Sequence, residues 1–154
     1  MRVPRGFKEM KGSATVVRIR DKYNNIYIRI PQNGNKHAFW ISQYEISHKN
    51  NRVDVKHSAG SLEGEKPWVF INLYTARDVA RQEGGRLPTE EEYERFLKFC
   101  MENHLIQDEE VFIWTETRAA DQKHYVSRKG NEKEICYPTR QTNHLSFRIV
   151  LEAA

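Results

Sequence analysis

The sequence predicts a single α+β domain over residues 1–154, with two helices packed on short antiparallel sheets and much irregular loop. Residues 13–47 alternate polar residues with β-branched or aromatic ones, as half-buried strands do. Two later stretches repeat apolar residues at helical spacing. A chain of 154 residues, 38% of them hydrophobic, can bury one core but is too short for two typical domains.

The N-terminal half is predicted to form strands. "SATVVRIRDKYNNIYIRIP" (13–31) alternates on both sides of "DKYNN" and predicts a hairpin, and "HAFWISQYEIS" (37–47) continues in the same style. Residues 48–67 mix charges with Gly, Ser and a closing Pro, which predicts a long loop. "WVFIN" (68–72) is short and continuously apolar, so it predicts a buried strand.

Two helices are predicted next. "TARDVARQEG" (75–84) begins with Thr75, a residue type that caps helices, and is followed by a glycine pair that can end it. Thr89 and Glu92 have capping-box spacing, and acidic residues 90–92 suit the positive end of a helix dipole, so they are predicted to cap rather than catalyse. The apolar face of this second helix comprises Tyr93, Phe96, Leu97 and Cys100.

Charge and composition bear on whether the chain binds nucleic acid or crosses a membrane. Residues 1–60 carry 12 Lys and Arg against 4 Asp and Glu, while residues 61–154 carry 13 against 17. The basic charges form no block and match no nucleic-acid-binding motif, so a nucleic-acid partner is only a third alternative. No apolar run approaches the roughly 20 residues that span a bilayer, and the N-terminus lacks the apolar core of a secretion signal. We therefore expect a cytoplasmic or virion-associated protein without a membrane span.

A family resemblance adds to this picture. "RLPTEEEYE" (86–94) resembles the R-L-P-T-E-x-E-[WY]-E signature of formylglycine-generating enzymes, the sulfatase-modifying-factor family, whose domain is a variant of the C-type lectin fold. Similar blocks follow the family's order at "FWISQYEIS", "KPWVFINLYTARDVARQEGGRLPTE", "VFIWTET" and "LSFRIVL", which together cover residues 37–151. The resemblance implies a C-type lectin fold. The scaffold residues it implies are Trp40, Trp68, Arg86, Leu87, Trp114, Phe147 and Arg148.

The same resemblance does not carry over the family's catalytic metal. Formylglycine-generating enzymes hold copper with a cysteine pair near the C-terminus, but only Cys136 lies in that region, and Cys100 falls on the second predicted helix. The two cysteines show no CxxC spacing and are predicted to be free thiols. The six histidines form no H-x-x-x-H-x-E cluster, and the E-P-N and W-N-D calcium motifs of lectins do not occur. We therefore expect no metal, cofactor or catalytic residue, and a copper oxidase of cysteine-containing peptides is the alternative.

The chain looks most like the variable proteins of diversity-generating retroelements, which keep a lectin-like scaffold and diversify a C-terminal segment for ligand binding. Residues 115–145 occupy that place, and "SRKGN" (127–131) stands where the wider family has R-G-G-S. The resemblance implies a non-catalytic protein, viral or phage-borne in its most concrete form, that binds a protein or cell-surface ligand. The candidate ligand-binding residues are Thr117, Arg118, Asp121, Lys123, His124, Tyr125, Asn131, Glu134, Tyr137, Arg140 and Asn143.

Overall fold

The computed structural model describes residues 3–11, 15–21, 25–48, 59–60, 68–105 and 111–153. Within these residues the chain folds into two helices and two larger sheets, which confirms the predicted α+β class. None of the helices in these ranges is long and apolar enough to cross a membrane. In chain order the elements are β1 (Phe7–Glu9), β2 (Arg18–Asp21), β3 (Ile26–Ile30), β4 (Phe39–Ser42), β5 (Ser47–His48), β6 (Ala59–Gly60), α1 (Leu73–Gln82), α2 (Glu90–Glu102), β7 (Phe112–Arg118), β8 (Tyr125–Lys129), β9 (Glu132–Cys136), β10 (Leu145–Ser146) and β11 (Val150–Glu152).

The first sheet is antiparallel, with strand order β1-β2-β3-β4-β11. Its β2–β3 pairing, with Arg18 opposite Ile28, confirms the predicted hairpin. The strand predicted over residues 37–47 is shorter, because β4 covers only Phe39–Ser42. Most of the loop predicted at 48–67 lies outside the described residues. The described residues Ser47–His48 and Ala59–Gly60 pair with each other as β5 and β6.

The second sheet has the order β10-β7-β8-β9, with β10 parallel to β7 and the other pairs antiparallel. The register of β7 against β8 shifts between Trp114 and Arg118, which is typical of a β-bulge. Beyond this shift, Arg118 pairs with Tyr125 at the end of the hairpin. The shift sets which side chains the end of β7 presents to each face of the sheet.

The start of α1 differs from the prediction. Asn72 is the N-cap, since its side chain accepts a hydrogen bond from the Thr75 backbone N–H at 2.8 Å, so Thr75 as cap was wrong. The buried strand predicted at 68–72 was also wrong, because Phe70 has a φ of 57° and an exposed side chain. This segment instead carries Asn72 to the helix, which ends at Gln82 before Gly84 at a φ of 86°.

The second helix begins as predicted. Thr89 accepts from the Glu92 N–H at 3.1 Å and Glu92 accepts from the Thr89 N–H at 2.9 Å, which confirms the capping box. Tyr93, Phe96 and Cys100 are buried on one face of α2, while Leu97 is partly buried. The helix therefore packs through the apolar face that its sequence predicts.

The core forms two clusters on opposite faces of the first sheet. On one face Tyr27 and Trp40 pack with Ala76 of α1, and on the other Ile28 packs with Phe96 of α2. Neighbouring residues of β7 divide in the same way, because Ile113 joins the α2 cluster and Trp114 the α1 cluster. Each helix is thus held against both sheets by apolar burial.

The predicted scaffold residues lie in this core or against it. Trp40, Leu87, Trp114, Phe147 and Arg148 are buried, whereas Trp68 and Arg86 are partly exposed. Arg148 donates to the carbonyls of Ser42 and Gln43 at 2.9 and 2.7 Å, so its buried charge is hydrogen-bonded. The packing role that the sequence predicts for these residues is confirmed.

Candidate ligand-binding surface

The turn between β7 and β8 is fixed by one carboxylate. Asp121 accepts hydrogen bonds from the backbone N–H groups of His124 and Lys123 at 3.0 and 2.9 Å, and its second oxygen contacts His124 Nδ1. These bonds favour the ionised form and lower the pKa of Asp121 to about 2. Gln122 completes the turn with a φ of 62°. The turn is an exposed loop held by its own hydrogen bonds.

Two guanidinium groups contact the ring of Tyr125 at the start of β8. The central guanidinium carbons of Arg77 and Arg118 lie 5.8 and 5.7 Å from the ring centroid, within cation–π range. Arg77 is oriented by Glu116, which accepts from its Nε and Nη2 at 3.0 and 3.1 Å. This bidentate hydrogen bond raises the pKa of Arg77 above its usual value, against the opposing effect of burial.

Two exposed tyrosines border this arrangement. Tyr74, on the first turn of α1, lies 5.9 Å from the Arg77 guanidinium, and its side chain is 49% exposed. Tyr137, just after β9, is 62% exposed and its ring centroid lies 3.9 Å from that of His124. We call the whole set the aromatic–arginine surface. It comprises Tyr74, Arg77, Arg118, His124, Tyr125 and Tyr137.

The aromatic–arginine surface has a buried and hydrogen-bonded support. Tyr125 pairs across the strands with Cys136, which is buried in the α1 cluster. Beneath them Trp114 donates from Nε1 to the Ile71 carbonyl at 2.9 Å. The Leu73 N–H donates to the Pro138 carbonyl at 2.9 Å and so joins α1 to the segment after β9. Backbone that is fixed in this way presents its side chains in one arrangement.

A depression of about 470 Å³ adjoins the aromatic–arginine surface. Arg118 borders both, while the apolar side chains of Val126 and Ile135 line the depression on neighbouring strands. At the other side Lys133 forms an ion pair with Glu90 at 3.1 Å. The depression therefore combines an apolar lining with charged groups at its margin, as ligand sites do.

Cys136 has polar neighbours rather than a second thiol. Arg140 donates to its sulfur at 3.3 Å and to Glu134 at 3.0 Å, and the Arg140 Nη2 lies 3.3 Å from His144 Nε2. Cys100 belongs to the α2 cluster and Cys136 to the α1 cluster, and both are free thiols as predicted. A guanidinium beside a lone thiol does not fit a two-thiolate copper site, which requires a second sulfur ligand. Among the described residues, no three His, Cys, Asp or Glu side chains are grouped for a metal ion.

The structure brings together only some of the predicted binding residues. Arg118, Asp121, Lys123, His124, Tyr125 and Tyr137 lie on or beside the aromatic–arginine surface, whereas Glu134 and Arg140 pair next to Cys136. Thr117 instead accepts from the Glu90 N–H at 2.8 Å, at the start of α2. Asn131 lies in the β8–β9 turn, at the opposite end of that hairpin from Tyr125, and Asn143 is exposed in the segment before β10.

Two residues of the surface, and the glutamate that orients one of them, were missed by the sequence prediction. Tyr74 and Arg77 come from α1, outside the predicted segment, and Glu116 orients Arg77 from within it. The available signal was the i, i+3 spacing of Tyr74 and Arg77, which places both on one helix face. That spacing does not reveal that the face meets Tyr125.

Comparison of the chain with protein-family models, with curated proteins and with solved structures gives no match.

Proposed function

We propose that this chain is a non-catalytic ligand-binding protein on a C-type lectin scaffold, of the kind found in the variable proteins of diversity-generating retroelements. The observation that carries the proposal is the contact of Arg77 and Arg118 with the Tyr125 ring, beside the exposed Tyr74 next to Arg77 and the exposed Tyr137 next to His124. Tyrosine and arginine are the side chains most often found at the energetic centres of protein interfaces.

The composition of this surface suits binding. Tyrosine supplies a large contact area with few torsions to immobilise, and a guanidinium supplies several hydrogen-bond donors in a fixed plane. The Glu116 contact to Arg77 and the Asp121 contacts within the turn order these groups before any ligand arrives. Pre-ordering lowers the entropy that a ligand must overcome on binding.

The division between exposed and buried residues supports a diversifiable version of this function. Arg118, Lys123 and Tyr137 are exposed, while Trp114 and Cys136 beneath them are buried in the α1 cluster. Exposed side chains on an ordered backbone can change with small effects on stability, usually within about 0.5 kcal/mol. Variation can therefore alter the ligand while the core stays the same.

The motif resemblance supports the lectin scaffold. "RLPTEEEYE" supplies the Arg86–Glu92 ion pair and the α2 capping box, and "LSFRIVL" supplies buried Phe147 and Arg148. Both blocks therefore fall where the core is assembled rather than on the aromatic–arginine surface. This separation suits a scaffold whose binding residues vary.

The test at the level of the gene is the DNA that follows it. We expect a near-copy of the segment that encodes residues 115–145, differing mainly at adenines and lying beside a reverse-transcriptase gene. Sequencing the locus in several isolates should show substitutions concentrated at exposed positions such as Arg118, Lys123 and Tyr137. A locus with neither the near-copy nor such variation would remove the retroelement assignment.

The test at the level of the protein compares two libraries. The first randomises Arg118, Lys123 and Tyr137, and the matched control randomises three buried positions, Trp114, Ser127 and Cys136. Most members of the first library should remain protease-resistant, and selection against a purified globular protein such as lysozyme should yield binders. Most control members should unfold. If no binder from the first library depends on its randomised side chains, the binding function is wrong.

A further inference from the structure

The carboxylates beside the aromatic–arginine surface are already paired within the chain. Glu116 binds Arg77 at 3.0 Å, Glu134 binds Arg140 at 3.0 Å, and Asp121 binds the His124 ring together with two backbone N–H groups. A carboxylate that already accepts these bonds attracts an external cation weakly, because doing so would leave its present donor without a partner.

Two cations on or beside this surface have no carboxylate partner among the described residues. Among the described residues, neither Arg118 nor Lys123 forms an ion pair, and both side chains are exposed. Arg118 is nevertheless ordered by its contact with the Tyr125 ring, 5.7 Å from guanidinium to centroid. A guanidinium that is exposed and already oriented can take a carboxylate through two parallel hydrogen bonds.

Arg118 lies beside an apolar depression, so a ligand that binds it can also make an apolar contact. Arg118 is one of the residues that line the depression, together with Val126 and the half-exposed Ile135. Lys133 also lines the depression, but it is already paired with Glu90. Among the described residues, Arg118 is therefore the lining cation that remains available to a ligand. A ligand that reaches Arg118 can therefore also bury an apolar group against Ile135.

We propose that the aromatic–arginine surface binds an acidic segment of another protein, with a carboxylate on Arg118, a second near Lys123 and an apolar side chain against Ile135. This proposal rests on the binding function proposed above and specifies the chemistry of the partner.

Nucleic acid is the competing polyanion, and the charge distribution disfavours it. Glu116 is two residues from Arg118 on β7, and Asp121 accepts from the Lys123 N–H, so a phosphate backbone that crossed the surface would meet carboxylates as well as Arg118 and Lys123. Non-specific nucleic-acid binding needs several phosphate contacts along a continuous basic surface. A short segment with one or two carboxylates makes the favourable contacts and avoids the others.

The experiment is selection of phage-displayed random twelve-residue peptides on the intact protein. Selected peptides are synthesised, and their Kd is measured by fluorescence polarisation against four variants. Tyr137→Ala reports whether a peptide uses the aromatic–arginine surface, and Arg118→Gln/Lys123→Gln removes the two unpaired cations. Lys8→Gln/Lys98→Gln is the matched control, since it removes two exposed positive charges on β1 and α2. Ile135→Ser tests the apolar contact.

We expect the peptides that lose affinity with Tyr137→Ala to be enriched in Asp and Glu. Their Kd should rise by about tenfold or more with Arg118→Gln/Lys123→Gln, equivalent to about 1.4 kcal/mol, and by less than about twofold with the control. Ile135→Ser should raise the Kd by about fivefold, since it removes most of an apolar contact. An unchanged Kd for Ile135→Ser would overturn the placement of the apolar side chain in the depression.

The other outcomes separate this inference from the proposed function. Peptides that need Tyr137 but bind the Arg118→Gln/Lys123→Gln variant normally would overturn the acidic partner and leave the binding function in place. If no peptide responds to Tyr137→Ala, both proposals fail. Single-stranded oligothymidylate is the comparison ligand. If it binds more tightly than the acidic peptides, through the same two cations, the partner is nucleic acid rather than a protein segment.

Discussion

Arg86 joins three parts of the chain through one guanidinium. It donates to both oxygens of Glu92 at 2.7 Å, to Glu152 at 2.5 Å and to the Leu87 carbonyl at 3.2 Å. The hydrogen bonds that Arg86 donates to Glu92 hold the pKa of Arg86 above its usual value despite partial burial. The guanidinium is thus held by two carboxylates and one backbone carbonyl.

Arg86→Ala should lower the free energy of unfolding by about 3 kcal/mol. This is the lower end for a broken buried ion pair, because Arg86 is 33% exposed while Glu92 is only 4% exposed. Urea denaturation measures the change. Arg81→Ala is the control, since its pair with Asp78 lies in solvent and should contribute less than about 0.5 kcal/mol. Equal midpoints for the two variants would show that the Arg86 ion pair does not stabilise the fold.

Glu92 gives this ion pair a pH dependence. Burial alone would raise the pKa of Glu92, but the hydrogen bonds from Arg86 and the Thr89 N–H, with the Arg86 charge, lower it below its ordinary 4.5. A carboxyl whose pKa is depressed in the folded state stabilises the fold at pH values above its unfolded-state pKa. That stabilisation is lost as the pH falls through the folded-state pKa. Glu92→Gln should therefore be less stable than wild type at pH 7 and lose less stability in acid. Urea midpoints between about pH 3 and pH 7 test this, and parallel curves would contradict it.

Asp121 offers a direct test of the β7–β8 turn. Its carboxyl ¹³C shift should titrate near pH 2 rather than at the ordinary 3.8, because backbone N–H groups of His124 and Lys123 donate to it. His124→Ala removes only the ring contact, so the Asp121 pKa should stay below 3.8 in that variant. A titration at the ordinary value in the wild type would mean that the turn is not closed as described.

The binding residues mark the limit of prediction at this scale. Arg118, His124 and Tyr137 could be proposed from a polar and aromatic segment that follows a recognisable scaffold block. Tyr74 and Arg77 could not, because the contact between Arg77 and Glu116 joins residues 39 apart in sequence. Local spacing shows which residues share a helix face but not what that face meets.

The two helices show why one start was predictable and the other was not. The α2 cap is local, since Thr89 and Glu92 satisfy each other within four residues. At α1 both Asn72 and Thr75 are residue types that cap. The choice depends on distant backbone bonds, from the Phe70 N–H to the Thr142 carbonyl and from the Leu73 N–H to the Pro138 carbonyl, both 2.9 Å.

The correction at α1 predicts a contrast between two substitutions. Asn72→Ala should destabilise the protein by about 1 kcal/mol, because the Thr75 N–H loses its acceptor. Thr75→Ala should change stability by less than about 0.5 kcal/mol, because the Thr75 side chain is exposed and is not the cap. Thermal or urea denaturation of both variants measures the contrast. A larger loss for Thr75→Ala would restore the cap predicted from sequence.

The molecule as a whole depends on pairings that join distant parts of the chain. Strand periodicity predicts the β2–β3 hairpin, but β11 beside β4 brings Val150 opposite Ile41, and β10 lies parallel to β7. On the other side of β11, the Arg86 N–H donates to the Val150 carbonyl at 2.9 Å and the Val150 N–H donates to the Arg86 carbonyl at 2.7 Å. This approach requires Gly85, because a Cβ there would overlap the Val150 carbonyl. No local pattern encodes such partners, so composition and periodicity predict the α+β class and leave the strand order open.

The two core clusters share the same sheets, and this predicts how the molecule unfolds. Cys100 is buried in the α2 cluster and Cys136 in the α1 cluster, so each thiol reports on one of them. Trp40 and Ile41 are neighbours on β4 that face opposite clusters, so opening either face removes packing from a strand that the other face needs. We therefore expect both clusters to be lost in one cooperative transition.

Thiol labelling under native conditions tests that expectation. Ellman's reagent should modify both thiols with the same opening free energy, equal to that of global unfolding by urea, with Cys100→Ala and Cys136→Ala each isolating one signal. If Cys136 is labelled with a clearly lower opening free energy than Cys100, the two clusters do not unfold in one cooperative transition. Such labelling would show instead that β9, the free edge of the second sheet, opens by itself. Since Cys136 pairs with Tyr125 across β8 and β9, such opening would also loosen the support of the aromatic–arginine surface.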